Sequence, residues 1–241
     1  MIRLVVFLTL SLFLIMALLP FRINAFSQYG HPYAAQEEEF YFSCLAELEH
    51  LKNDHANEEA VHKSMLKVAK ALAVLRRYNE ADRLYREVWQ SRAQSTAAYD
   101  ETFVAAVMGL AGLRRDTGSI AGAISFYSAA FAYDKKHLPA DDIRLTRDKT
   151  NLAVALLLAG KTAAAAQQKM QHLKTAAGFL AEAIAEQQTR NPRGSMREAN
   201  ARQDLAYALK DMGDVQGYEK EMKLARAMQR RLSSVSLCRE P

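Results

Sequence analysis

The stretch from Asn151 to Ala166 reads NLAVALLLAGKTAAAA, and the role given to its Gly160, Lys161 and Thr162 decides the fold. The triplet ends like a phosphate-binding loop. Such a loop needs a glycine, four residues, then Gly-Lys-Ser/Thr, so that several backbone N–H groups curl around the phosphates. The first glycine would stand at position 155, which is Ala155, and the residues from there to Gly160 are apolar. The run also continues DDIRLTRDKT, a helix-like stretch with no turn residue before Asn151. A nucleotide loop is therefore set aside, and Gly160 needs another role.

Aligning the chain with itself supplies one. Four blocks match: VAKALAVLRRYNEADRLYREVW from Val68, LAGLRRDTGSIAGAISFYSAAF from Leu110, LAVALLLAGKTAAAAQQKMQHL from Leu152 and LAYALKDMGDVQGYEKEMKLAR from Leu205. Their starts lie 42, 42 and 53 residues apart. The second position is alanine every time (Ala69, Ala111, Ala153, Ala206), and seven residues later stands Arg76, Gly118, Gly160 or Gly213. Five further on comes Ala81, Ala123, Ala165 or Tyr218, then Tyr85, Tyr127, Lys169 or Met222. The first alanine lets a second helix approach closely, and the glycine supplies the positive φ that ends the first helix. The next alanine lies at the crossing and the large residue fills space between units. One such hairpin cannot bury its apolar face alone, so neighbours stack and share a core.

These columns resemble the tetratricopeptide repeat (TPR), and the spacing is similar to its longer form, typified by the kinesin light chain. EADRLYREVWQSR is similar to that family's second helix, and HLPADDIRLTRDKTNLAVALLLAGK to its link into the next NLA helix. The resemblance covers about residues 61–228 and departs at Arg76, at Tyr218 and at Gly217 inside the last helix. It implies an all-α, right-handed helical-hairpin solenoid of about four repeats over residues 61–232. A linker and N-terminal capping helix are expected over 26–60, with apolar residues Phe40, Cys44, Leu48 and Leu51 at helical spacing, and a flexible tail over 233–241. The stretch from Lys161 to Arg190 reads as one long helix ended by Asn191 and Pro192, and the eleven extra residues of the last interval are placed in it and in the NPRGS loop.

Composition agrees with a helical chain. Ten glycines and five prolines in 241 residues are too few for the turns of an all-β protein. Arg3, an apolar run from Leu4 to Leu19, then Pro20 predict a targeting segment over 1–25. It is either a signal peptide cleaved after Ala25 or a membrane anchor through residues 4–21. In both cases the remainder is expected outside the cytoplasm, periplasmic or extracellular, with any membrane contact made through an uncleaved leader. Cys44 reads as a buried thiol and Cys238 as a tail thiol. A net charge of +5, reduced to +3 once Arg3 and Arg22 leave with the leader, is too mild and too mixed for a nucleic-acid partner.

No catalytic constellation emerges. His50, His55 and His62 with Glu58 and Glu59 lack the HExxH spacing, and GSIAG is a repeat turn, not a nucleophile elbow. No enzyme activity, cofactor or metal is expected. A concave groove lined by first helices is what the resemblance implies, with an extended protein segment as its occupant. Transferred column by column, its candidate residues are Lys63, Lys67 and Lys70 in the first unit, Arg147 and Asn151 in the third, and Asn200 and Tyr207 in the fourth. Asn151 matches the asparagine of NLA, able to donate to and accept from a peptide backbone. The basic members favour an acidic segment or a terminal carboxylate. The competing expectation is an oligomerising component of an envelope complex that works through helix edges.

Overall fold

The computed structural model describes residues 34–93 and 99–237. The leader and Cys238 lie outside the described residues. All nine elements among them are helices, and the chain divides into two compact units between Leu84 and Tyr85.

In the first unit α1 (Ala34–Asn53) packs on α2 (Glu58–Val74). Asn57 caps α2 by accepting from the Ala60 N–H at 2.8 Å. His55, at φ 50°, lies in the turn before it and shares no helix face with Glu59. The inward face of α1 is Tyr41, Cys44 and Leu48, whereas Phe40 is 56% exposed. The expected stripe is therefore shifted by one residue at its first position, because the Arg77 guanidinium stacks 4.9 Å over the Tyr41 ring and covers it. Lys67 ties α2 to α1 by a 2.7 Å ion pair with Glu47.

The second unit opens in α3 (Tyr78–Arg92), which spans the division, and continues through α4 (Glu101–Asp116), α5 (Ile120–His137), α6 (Ile143–Thr162), α7 (Ala166–Arg190), α8 (Met196–Asp211) and α9 (Val215–Leu237). Helices adjacent in sequence pack from α4 to α9, which makes the α4–α5, α6–α7 and α8–α9 hairpins of a solenoid. Residues 233–237, expected in a tail, are the last turn of α9. The column alanines Ala111, Ala153 and Ala206 are fully buried here, as Ala69 is in the first unit. A shared core runs through Tyr127, Leu152, Leu156, Leu173, Leu180 and Leu205.

The turn column holds at three of its four positions. Arg76, Gly118 and Gly213 have φ 59°, 82° and 89°. Gly160 departs: it is a buried residue inside α6, which runs on to Thr162, and the chain turns at Ala163–Ala165. Its hydrogen is needed for another reason, since a Cβ there would lie 3.1 Å from a Leu173 methyl of α7. The backbone N–H groups of a continuous helix are taken by its own carbonyls, so this stretch has no phosphate cradle to offer.

The position of the extra residues follows. Removing Lys161–Gln171 would bring Leu173 and Ala176 to the distances from Gly160 at which Ile120 and Ala123 stand from Gly118. Ala176 and Leu180, both fully buried, then take the crossing and space-filling roles that Ala165 and Lys169 were expected to fill. The lengths agree: α6 has 20 residues against 16 for α4, and α7 has 25 against 18 for α5. The eleven residues are thus spent at the tip of the α6–α7 hairpin, and none in the loop at NPRGS. The four residues added to α6 are about one helical turn and the seven added to α7 about two, so the buried face of each helix stays in phase.

Arg76 is the non-glycine member of the turn column, exposed and in the left-handed region. Replacing Arg76→Gly is expected to stabilise the protein by roughly 0.5–1 kcal/mol, and Gly118→Ala to cost about as much. Chemical denaturation of both variants at constant m-value checks the pair.

Candidate interaction groove

A second polar column closes each junction between hairpins. Eleven residues after Ala81, Ala123 and Ala176 stand Arg92, Asp134 and Gln187. Each reaches the start of the next first helix. Arg92 bonds the α4 N-cap Asp100 at 2.6 Å, Asp134 pairs with Arg147 of α6 at 3.3 Å, and Gln187 accepts from the α8 N-cap Ser195 at 3.1 Å.

Between the second and third of these junctions lies an open groove of about 560 Å³. Its walls are Ile143, Thr146, Arg147, Thr150 and Asn151 of α6, Gln187 and Arg190 at the end of α7, and Met196, Arg197 and Asn200 of α8. Three guanidiniums line it and no carboxylate does. Ile143 and Met196, both about half exposed, supply its apolar surface.

The arginines are held differently. Arg190 donates to Thr146 Oγ1 at 2.6 Å and to the Asp141 carbonyl. Thr146 in turn donates to Glu186, which Lys149 also reaches at 2.6 Å. Burial alone would raise the Glu186 carboxyl, but the hydrogen bonds from Lys149 and Thr146 outweigh it and leave it below the usual range. Arg197 and the amides of Asn151 and Asn200 have no hydrogen-bond partner among the described residues. They are the groups free to take one.

Arg147 bridges groove and interior. Its side chain is 43% exposed, and its guanidinium pairs with Asp148 at 2.8 Å and Asp134 at 3.3 Å, both on side chains with no exposed surface. With both acids ionised, Asp134 Oδ1 and Asp148 Oδ2 have no donor, and one guanidinium faces two buried negative charges. Burial first, and the hydrogen bond between the two carboxyls second, push Asp148 up to about 7. The Tyr99 hydroxyl is also pushed up, by burial and then by the charge of Asp134. Outside this pocket the α6 N-cap Asp142 is held down at about 2 by hydrogen bonds from Arg144.

Three of the seven sequence-derived candidates, Arg147, Asn151 and Asn200, meet in this groove. Tyr207 is exposed on α8 but does not line it. Lys63 and Lys67 are on α2 of the first unit, ion-paired with Glu59 and Glu47, and Lys70 is exposed on the same helix. Arg190 and Arg197 lie outside the first-helix columns near the alanine, so the repeat pattern carries no signal for them. The acid pair had a legible signal: five residues before the column alanine stand Ser64, Ala106 and Ala201, all buried, and Asp148 breaks that small-residue column. Lys161, the lysine of the phosphate-loop look-alike, is exposed, and its charge partly offsets the burial that raises Asp204 of α8.

No protein-family profile matches the chain, and no curated protein does. Among solved structures it is similar to the nearly identical TPR-like repeats of a kinesin light chain from Podosopora anserina, with a TM-score of 0.61 at 18% identity over 82% of this chain and 89% of that one. It is similar also to a single-substitution variant of that protein, with a TM-score of 0.60 at 15% identity over 85% of this chain and all of the other. The fold is TPR-like. At these identities the likeness is one of architecture.

The acid pair gives stability a pH dependence with a definite sign. Folded Asp148 binds its proton up to about pH 7, whereas an unfolded aspartate releases it near 3.8. The folded state therefore holds more protons between those values, and stability falls as pH rises through that window. Thermal melts from pH 4 to 8 are expected to show this decline in the wild type and a flatter profile in Asp148→Asn.

Proposed function

We propose that this chain is a TPR-type adaptor or assembly scaffold, exported or anchored in the membrane by its leader, which holds a segment of a partner protein in the groove of its second unit. The observation that carries the reading is the lining itself: Arg147, Arg190 and Arg197 without a single acid, and between them the unpartnered amides of Asn151 and Asn200. Side-chain amides give and accept hydrogen bonds along an extended backbone, while guanidiniums select carboxylates. An acidic segment or a terminal carboxylate is therefore the chemistry that fits. The reading is non-catalytic and needs no cofactor. Among the described residues no helix is long and apolar enough to cross a membrane, so an anchored form would be held by the leader.

The test is co-purification from native membranes and from soluble exported fractions, comparing wild type with Arg147→Ala, Asn151→Ala. Loss of a partner in the double variant, with the helical signal retained, is the expected outcome. The same partners in both samples would move the function off the groove.

The overhanging tip of the α6–α7 hairpin favours the second reading, an oligomerising component. Deleting residues 161–171 restores the regular hairpin length and is expected to leave a folded protein. A fall in mass by light scattering on that deletion would support assembly through the tip, and an unchanged mass would count against it.

A further inference from the structure

The groove and the buried acids share one side chain. The Arg147 guanidinium contacts Asp134 and Asp148 and is also part of the groove wall. With one proton on the pair its charge is −1, balanced by Arg147. With none it is −2, and the guanidinium is held inward more strongly. A carboxylate arriving from the groove must share Arg147, so it is accommodated best when the pair carries its proton. We propose that Arg147 couples the groove to the carboxyl pair beneath it, so that an anionic segment seated in the groove is held together with a proton on Asp134–Asp148 and is released as that proton leaves. The proton comes from solvent and returns to it. This rests on the groove being the binding site, and it adds the way binding is regulated. Affinity for a carboxylate-bearing segment falls as pH rises through the pair's titration, since binding takes up a proton.

The surroundings leave the pair and Arg147 as the centre of this exchange. From α6, Arg144 is committed to Asp142 and stacks 4.6 Å over the Tyr99 ring. Tyr99, before α4, has a buried hydroxyl without a hydrogen-bond partner among the described residues, close enough to feel the charge of Asp134, and Glu101 acts on Arg144. On α5, Tyr133 accepts from the Asp100 N–H, and His137 bonds the Tyr133 carbonyl with its ring 4.2 Å from the tyrosine's. From α7, Glu186 is committed to Thr146 and Lys149, and Arg190 to Thr146 and the Asp141 carbonyl.

The test needs no partner, because a ligand carboxylate can be built in. Asn151→Asp places one in the groove a helical turn beyond Arg147, at the i, i+4 spacing that brings side chains together. The full chain is used in a His137→Gln background, since histidine ordinarily titrates in the same range. The midpoint of the pair is read from the carboxyl ¹³C signals of Asp134 and Asp148. Asn151→Asp is expected to raise that midpoint by roughly one unit, and replacing Arg147→Gln is expected to remove most of the increment. An increment of equal size with and without Arg147 would overturn the coupling, as would no increment, or two carboxyls ionised down to the ordinary aspartate range. If Arg147→Gln does not fold, Arg147→Lys, which keeps the charge but loses the fork reaching both acids, takes its place in the cycle. Absence of any client for the groove would sink the adaptor reading and leave the result of this cycle standing by itself.

Discussion

The close approach of helices at alanine is the constraint on which the rest of the structure depends. Ala69, Ala111, Ala153 and Ala206 are fully buried, as are the crossing alanines Ala81, Ala123 and Ala176. A methyl group at each crossing lets two helix backbones approach to the near end of the usual interaxial range, while Tyr85, Tyr127 and Leu180 one turn later fill the space left beside it. Any larger side chain at such a point would push the pair apart and cost about 1–3 kcal/mol in strain. Because each hairpin shares its apolar face with the next, displacement at one crossing would be felt along the unit. The polar column at the hairpin ends works on the same geometry. Arg92, Asp134 and Gln187 reach the following helix because the crossings fix how far away it starts.

The eleven-residue insertion shows how tightly that constraint acts. A solenoid accepts extra length only where no neighbour must be met in register, and only in a quantity that preserves the buried face. Lys161–Gln171 satisfies both conditions: it lies at the tip of a hairpin, has a small and polar sequence, and lengthens one helix by about one turn and the other by about two. Gly160 keeps a glycine's role with a changed cause. At Gly118 the backbone needs positive φ, whereas at Gly160 the approach of Leu173 leaves no comfortable room for a Cβ.

Most of the architecture was legible in the sequence because its determinants are local and repeated. The alanine columns, the positive-φ turn and the caps each act within one hairpin, and several copies of a pattern reinforce one another. The misreadings came where a copy departs from the others. At the third turn the glycine column continues to Gly160 although the insertion moves the turn itself to Ala163–Ala165, and the inward face of α1 turns on a cation–π contact from Arg77, which periodicity cannot see. For the groove, column transfer reached Arg147, Asn151 and Asn200. It could not reach Arg190 or Arg197, whose place depends on how the end of α7 meets the start of α8. Nor could it place Tyr207 or the α2 lysines in this groove, since a shared column specifies orientation within a hairpin and says nothing of which walls enclose a space.

Asp148 is the departure with the most to say about function. The equivalent positions hold serine or alanine, which fill the space at no electrostatic cost. A carboxyl there must be desolvated beside a second one, and pairs of buried charges are seldom a source of net stability. Packing gives no reason for it, because the same fold is completed three times without it. What the acid does provide is a fixed attachment for Arg147. The guanidinium is anchored from beneath by two carboxyls, so it is presented to the groove with much of its side-chain freedom already lost, and a ligand that engages it need not order it again. The anchor weakens as the pair takes up a proton and tightens as the proton leaves. The stability given up at Asp148 therefore has a counterpart in the groove, a cation whose readiness to bind follows the protonation of a site that no ligand touches.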